Sequence, residues 1–307
     1  MKIIITGGTG FIGTHLLRQL TLHEHTIVMF TRGAAGKRTM GRSVVHSVHW
    51  DPLDRGEWMK EVDGADVIIN LIGKNVFEER WNERVKRQIL DSRTIPTQLI
   101  VEAVSGAKQR PSLMVSASAV GFYGDRGAEE ITEASSGGDD FLAEVVRQWE
   151  SAAFGAEQFG VRVAVPRIGL VLEKSGGMIG KMFLPFRLCA GGPIGSGRQF
   201  LPWVHMDDVV RGILYPIENN HFSGRYNLVS PHPVTMDEFA RTFGSVLHRP
   251  SWLPVPDIAL SILYGEGAKV ILSGQNARPI RLQSAGYHFS YTELFAALKN
   301  ILAPSVP

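Results

Sequence analysis

Short apolar runs alternate with amphipathic stretches along the first half of the chain. The run Ile3–Ile5 is closed by glycines, a pattern typical of a buried parallel strand. From Phe11 to about Leu22 the apolar residues recur at helical spacing and predict an amphipathic helix. We expect Pro96 to bend or cap a later, longer helix, because proline removes a backbone donor. Further strands are predicted at Thr26–Thr31, Val44–Val48, Asp66–Leu71, Ser112–Ser116 and Val161–Val165, and further helices at Asn82–Val104 and Asp140–Gln158.

The pattern changes after Arg167, and the two halves together predict the fold class. Strands that alternate with helices need crossover connections, which build a parallel sheet. Glycine-rich loops, a helix from Met206 and a returning strand at Arg225–Val229 come next, and helical patterns follow at Met236–Leu247, Ile258–Leu272 and Tyr291–Ile301. We therefore predict an α/β fold: a doubly wound parallel Rossmann sheet with a smaller, mainly helical C-terminal lobe. The larger domain is assigned to residues 1–167 with a return segment at about 204–230, and the lobe to 168–203 and 231–307.

A glycine-rich turn joins the first predicted strand to the first helix. In this context Gly7 permits a tight turn, Gly10 lets backbone N–H groups approach a pyrophosphate, and Gly13 lets helix and strand pack closely. The helix N-terminus adds free N–H donors and a positive dipole. The alternative is an ordinary flexible loop. The turn predicts a dinucleotide site formed by Gly7, Thr9, Gly10, Phe11, Ile12 and Gly13.

The end of the second strand indicates which dinucleotide is bound. An NAD site usually places an acidic residue there for the ribose 2′-hydroxyl, whereas this chain has Arg32 and no carboxylate before Asp51. The guanidinium fork of Arg32 suits a 2′-phosphate, so NADP(H) is the predicted cofactor, a solvated basic loop being the alternative. Asp51, directly after the third strand, either contacts the adenine or serves as a turn residue.

Composition narrows the class of protein further. The 307 residues carry 32 basic and 30 acidic side chains, so no basic face for nucleic acid is indicated. No apolar stretch approaches the roughly 18 residues of a membrane span, and Met1 leads directly into a strand without a signal peptide, so we expect a cytoplasmic protein. We predict no metal site, since His46 and His49 face opposite sides of a strand. The single cysteine, Cys189, lies in an apolar run and is predicted to be buried.

Several motifs resemble the extended short-chain dehydrogenase/reductase superfamily. They are residues 6–13 (TGGTGFIG), 70–73 (NLIG), 116–124 (SASAVGFYG), 166–169 (PRIG) and 203–208 (WVHMDD). Residues 80–81, 184–187, 191–197 and 252–301 resemble one epimerase-like subgroup, some of whose members carry an older SulA-type cell-division-inhibitor label. The resemblance implies that Leu71 and Gly73 line the cofactor and that Arg167 flanks the nicotinamide. It also leaves a homodimer through the long helices open.

The chain lacks the catalytic pair that this superfamily resemblance implies. A tyrosine acidified by a lysine four residues later normally exchanges the substrate proton. The corresponding helix has Phe141 and Val145, or Leu142 and Val146 in a shifted register, and no Tyr-x-x-x-Lys occurs anywhere. As a hypothesis, Ser118 orients the substrate while Tyr123 or a bound water transfers the proton. The alternative is that Tyr123 only packs and satisfies a neighbouring group.

These inferences predict an epimerase-like or oxidoreductase enzyme. It would use NADP(H) on a small hydroxylated or carbonyl substrate held between the sheet and the lobe. The second hypothesis is a non-catalytic NADP(H)-binding sensor or scaffold, which the missing pair motivates. No feature of the sequence gives physical support to a role in cell division.

Overall fold

The computed structural model describes residues 1–303, and the last four residues assigned above to the lobe lie outside this range. The strands are β1 (Lys2–Thr6), β2 (Thr26–Thr31), β3 (Gly36–Met40), β4 (Ser43–His49), β5 (Val67–Asn70), β6 (Leu113–Ser116), β7 (Ser118–Ala119), β8 (Glu130–Ile131), β9 (Arg162–Ile168), β10 (Leu170–Leu172), β11 (Phe200–Leu201), β12 (Trp203–His205), β13 (Gly224–Leu228), β14 (Val234–Thr235) and β15 (Asn276–Ala277). The α-helices are α1 (Phe11–Leu20), α2 (Glu83–Gly106), α3 (Phe141–Phe154), α4 (Gly177–Arg187), α5 (Met206–Glu218), α6 (Met236–Leu247), α7 (Asp257–Tyr264), α8 (Ala268–Leu272), α9 (Ile280–Ser284) and α10 (Leu294–Leu302).

The central sheet has the strand order β13-β9-β6-β5-β1-β2-β4-β3, with β7 also paired to β9. All of its neighbouring strands are parallel except β3, which runs antiparallel to β4 at the edge. The order reverses beside β1, which is where parallel sheets of this type bind ligands. The prediction of a doubly wound, mainly parallel α/β sheet with a helical C-terminal region is confirmed.

Apolar side chains cover both faces of this sheet. Ile3 and Ile5 of β1 face the side of α1 and α5 and belong to one buried cluster. Ile4 faces the side of α2 and belongs to a second cluster on the opposite face of the sheet. A third cluster joins α4, α6 and α10 through Phe186, Phe243 and Leu298. Within residues 1–303 no helix is both long and apolar enough to cross a bilayer.

Three elements differ from the expectations. The edge strand β3 was not predicted, because four of its five side chains are exposed and carry no apolar alternation. The helix α2 continues through Pro96 as one element, so Pro96 does not cap it. The helix expected over 258–272 is divided, because Gly265 adopts a left-handed φ of 62° that a continuous helix excludes.

The prediction that Cys189 is buried is wrong. The thiol-bearing residue is exposed and adopts a φ of 58°, since α4 has already ended at Arg187 and the chain turns there over the surface. The flanking Leu188 is also exposed, so the apolar run in the sequence is a helix end and not a core segment.

Candidate cofactor and active site

The glycine turn brings the start of α1 into backbone contact with the end of β1. Gly7 adopts a φ of 69°, and its carbonyl accepts a hydrogen bond of 2.9 Å from the Gly10 amide. A Cβ atom at Gly13 would lie 2.1 Å from the Gly7 carbonyl oxygen and 2.7 Å from the Gly8 Cα. Both neighbours are backbone, so only glycine fits at position 13 in this conformation.

The first turn of α1 is left open to an anion. Its N-cap, Gly10, has extended backbone, no side chain caps the helix, and no acidic residue lies in the first turn. Thr9 is exposed, and Phe11 and Ile12 are partly accessible. Backbone N–H groups without intrahelical partners and a positive dipole therefore meet at this edge, an arrangement that fits the diphosphate of a dinucleotide.

The loop after β5 lies directly against this turn. A Cβ atom at Gly7 would lie 2.7 Å from the Leu71 carbonyl oxygen, so the two segments touch through their backbones. Below them, the Asn70 carboxamide accepts a bond from the Thr6 hydroxyl at 2.7 Å and donates to the Ser116 hydroxyl at 3.2 Å. This buried network fixes the carboxyl ends of β1, β5 and β6 relative to one another. The structure therefore brings the partly buried Leu71 to the glycine turn, and the exposed Gly73 follows two residues later in the same loop.

Arg32 directly follows β2 as an exposed side chain at the same edge of the sheet. The Gly33 amide donates to the Thr31 hydroxyl at 3.1 Å, which shapes the short turn that presents Arg32. Asp51 lies two strands away from β1, and its carboxylate accepts a 2.9 Å bond from the Leu53 amide. That contact is a local turn of the kind left open as an alternative, and contact with adenine stays a prediction.

A cavity of about 440 Å³ lies between the glycine turn and the edge strand β3. Arg18 of α1 and Arg38 of β3 both line it, together with Gly8 and Thr9. Sequence reasoning did not place Arg38 here. The antiparallel β3 returns the chain toward α1, and an exposed polar strand gives no periodic signal that could have shown this.

The helix that would carry the catalytic pair presents apolar side chains instead. Val145 is fully buried in a cluster with Trp81, Val85 and Ile89, and Phe141 packs against it. The Phe141 ring meets the Trp81 ring edge-on at 5.3 Å between centroids. Aliphatic and aromatic packing therefore fills the position at which an ammonium group would be required.

A buried polar network connects the two residues proposed for catalysis. The Ser118 hydroxyl donates to Glu150 at 2.7 Å, and Glu150 forms a two-point ion pair with Arg167 at 2.8 and 2.9 Å. Arg167 also donates to the Tyr123 hydroxyl at 3.0 Å, and that hydroxyl donates to Asn227 at 2.7 Å. Ser118, Tyr123 and Arg167 therefore belong to one network, in which both oxygens of the Glu150 carboxylate accept hydrogen bonds.

The surroundings of Glu150 and Tyr123 determine the protonation state of each. Burial raises the pKa of the Glu150 carboxyl, but the bonds from Arg167, Ser118 and Arg225 outweigh it, so its pKa lies below the usual range. Burial raises the pKa of the Tyr123 phenol despite the bonds from Arg167 and Asn227. Glu150 thus stays ionised and Tyr123 stays neutral at physiological pH.

Sequence reasoning missed Glu150 and Asn227. Glu150 gave a usable signal, because it is a charged residue on the otherwise apolar buried face of α3, shared with Val146 and Ala153. Asn227 gave none, since its role depends on β13 pairing with β9 far away in sequence. Residues 1–303 contain no group of three or more His, Cys, Asp or Glu side chains placed to hold a metal ion.

Comparisons with known proteins match almost the whole chain. The NAD dependent epimerase/dehydratase family model matches residues 3–228, and that of a domain of unknown function (DUF1731) matches residues 255–301. The human epimerase family protein SDR39U1 is 38% identical, over 99% of this chain and 100% of its own. The YfhF protein of Bacillus subtilis is also 38% identical, over 99% and 98%.

Solved structures agree with this match. The crystal structure of human SDR39U1 (isoform 2) with NADPH is similar at a TM-score of 0.87 and 37% identity, covering 98% of this chain and 99% of that one. A UDP-glucuronic acid 4-epimerase from Bacillus cereus, in complex with NAD, has a TM-score of 0.75 at 15% identity, covering 97% and 94%. The second similarity shows a shared fold.

Proposed function

Since the chain belongs to the NAD dependent epimerase/dehydratase family, we propose that it binds NADP(H) at the glycine turn and transfers hydride to or from a small hydroxylated or carbonyl substrate. The observation that carries the cofactor part is the open N-terminus of α1, held against β1 by a Gly13 that tolerates no side chain. The human relative that was solved with NADPH supports the same choice of cofactor.

Different segments of the site would contact different parts of the cofactor. The backbone of residues 7–13 would hold the diphosphate, and Leu71 and Gly73 would line the nicotinamide half. Arg32 would pair with the 2′-phosphate, and Asp51 would face the adenine. Arg38 lines the cavity beside the glycine turn. A bound nicotinamide supplies hydride chemistry. The substrate would lie between the sheet and the C-terminal lobe, with Arg167 behind it in the buried network.

Replacing Arg32 with alanine is expected to weaken NADPH binding by ~10–100-fold, because a charge-assisted contact to phosphate contributes roughly 1.5–3 kcal/mol. NADH binding should be unchanged, since that cofactor carries no 2′-phosphate. Dissociation constants from fluorescence titration check this. The matched control is Arg42→Ala, an exposed arginine that pairs with Glu24 at 3.5 Å. Equal losses for NADPH and NADH would contradict the assignment of Arg32 to the 2′-phosphate.

For proton transfer we propose the pair named from the sequence, with Ser118 orienting the substrate and Tyr123 as the acid. Tyr123→Phe is then expected to lower kcat by ~10²–10⁴-fold, the usual contribution of a general acid or base. The matched control is Tyr226→Phe, which removes another buried hydroxyl, one that donates to the Gly212 carbonyl oxygen at 3.0 Å and lies outside this network. Substrates are identified by a panel of carbonyl compounds followed by nicotinamide absorbance. An unchanged kcat would exclude Tyr123 from proton transfer.

A second candidate function is a non-catalytic NADP(H)-binding sensor or scaffold. Two observations favour it: apolar packing around Val145 takes the place of the lysine, and the Tyr123 hydroxyl is already engaged on both sides. Steady oxidation of NADPH with any physiological carbonyl compound would decide for the enzyme. Tight NADPH binding without turnover across the panel would decide for the sensor. The cytoplasmic location and the homodimer stay predictions.

A further inference from the structure

A cationic side chain, Arg93, lies immediately behind the loop that follows β5. A Cβ atom at Gly73 would lie 3.0 Å from the Arg93 Cζ and 3.2 Å from its Nε, so the guanidinium is packed on the backbone of this loop. One amino group of Arg93 donates to the Lys74 carbonyl oxygen at 2.8 Å. The neighbouring Ser92 hydroxyl accepts a bond of 3.0 Å from the Lys74 amide. Two consecutive residues of α2 therefore hold Gly73 and Lys74 in place.

Among residues 1–303, no carboxylate pairs with the charge of Arg93. Its hydrogen-bond acceptors are the carbonyl oxygens of Ile89 and Lys74 and the Ser92 hydroxyl, all of them uncharged. Burial lowers the pKa of the guanidinium to about 10, which leaves it fully protonated at neutral pH. A partly buried cation without a counter-ion is costly unless an anion or a dipole is bound nearby.

Arg93 also reaches the helix that lacks the expected lysine. Its guanidinium carbon lies 5.3 Å from the centre of the Trp149 ring, and Trp149 is one helical turn after Val145 on α3. The guanidinium of Arg93 on α2 therefore lies against α3, one helical turn from Val145, where the family pattern would have a lysine. The geometry places a permanent positive charge between these helices and the exposed Gly73.

We propose that Arg93 is a positioning residue for the nicotinamide half of the cofactor. It holds the Gly73–Lys74 backbone and supplies the fixed charge that α3 does not carry. The inference rests on the proposed binding of NADP(H) and adds to it a residue that no motif indicates. Because Arg93 acts through the loop after β5, it should affect the nicotinamide half of the cofactor and leave the adenosine half unaffected.

The test compares two ligands in isothermal titrations, NADPH and adenosine 2′,5′-bisphosphate, which lacks the nicotinamide half. Arg93→Gln is expected to weaken NADPH binding by about 10-fold, the usual effect of losing a hydrogen bond to a charged group, and to leave the bisphosphate unchanged. Arg93→Lys provides a second variant, because it keeps the charge but loses the guanidinium fork that donates to the Lys74 carbonyl oxygen, and it should show a smaller loss with the same selectivity. The matched control is Arg87→Gln on the same helix, where the guanidinium is 83% exposed and loosely paired with Asp91.

The outcomes separate this inference from the proposed function. If the unmodified protein binds neither ligand, the proposed cofactor is wrong. If it binds both and Arg93→Gln loses affinity for NADPH alone, the inference is supported. An equal loss for both ligands, or for neither, overturns it. Should Arg93→Gln fail to fold, Arg93→Lys is judged by the same criteria.

Discussion

Replacing Glu150 with glutamine is expected to lower the free energy of unfolding by ~3–5 kcal/mol at neutral pH, the usual cost of removing one partner of a buried ion pair. Arg167 is 1% exposed, so the substitution leaves its charge buried without the carboxylate that pairs with it. The Ser118 hydroxyl loses a charged acceptor in the same variant. Urea unfolding followed by circular dichroism measures the difference.

The matched control lies on the same helix. Glu144 pairs with Arg147 at 2.7 Å, but the two side chains are 50% and 40% exposed. Glu144→Gln should therefore change the free energy of unfolding by only ~0–1 kcal/mol, as for other surface ion pairs. Equal effects of the two substitutions would show that the buried ion pair contributes no more to the free energy of unfolding than the exposed one.

The destabilisation caused by Glu150→Gln should depend on pH, in a direction that follows from the pKa of Glu150. The folded-state pKa of Glu150 is lowered, so its stabilising contribution is fully present above the unfolded-state pKa of about 4.3. As the pH falls from there through the folded-state pKa, the contribution is lost. The difference in unfolding free energy between the unmodified protein and Glu150→Gln should thus be constant near neutral pH and shrink below about pH 4. A gap that persists unchanged into acid would contradict the ionised pair.

Replacing Gly13 with alanine is expected to weaken NADPH binding at least ~100-fold, because ångström-scale misplacement of binding groups commonly has that effect. The new Cβ would meet the Gly7 carbonyl oxygen at 2.1 Å, and only a shift of α1 away from β1 relieves that contact. The shift moves the helix N-terminus from the place where the diphosphate binds. We also expect ~1–3 kcal/mol of destabilisation from overpacking.

The control for this variant is Gly36→Ala in the edge strand β3. A Cβ atom there meets no atom within 4 Å, so both affinity and stability should be unchanged. Titration of both variants with NADPH, with unfolding curves alongside, separates loss of the site from loss of the fold. Full NADPH affinity in Gly13→Ala would show that the cofactor does not depend on this turn.

The fold was predictable because its strands are buried on both faces. Ile3, Ile4 and Ile5 are all fully buried, and a continuous apolar run that leads into a glycine-rich turn is typical of a buried parallel strand. The family resemblance read from the motifs is confirmed by the family match over residues 3–228. The elements that were missed or misplaced lack this signal, as in the exposed β3 and the division of the helix at Gly265.

The contacts of the candidate site were less predictable than its backbone. The glycine turn is local, so spacing alone placed Gly7 and Gly13 correctly against each other. The partners of Ser118 and Tyr123 come from α3, β9 and β13, which are distant in sequence. A pattern in one segment cannot show that the Ser118 hydroxyl donates to Glu150 or that the Tyr123 hydroxyl donates to Asn227. That information arises only when the sheet order is known.

The most direct test of NADP(H) binding at the glycine turn is a comparison of thermal melts of the unmodified protein with NADPH, NADP⁺, NADH and no ligand. A ligand at 100 times its dissociation constant stabilises a protein by ~2.7 kcal/mol, which a melt resolves. We predict clear stabilisation by NADPH and NADP⁺ and little by NADH, since Arg32 has no phosphate to pair with in the latter. Equal stabilisation by NADH would refute the 2′-phosphate assignment, and no shift with any ligand would contradict cofactor binding itself.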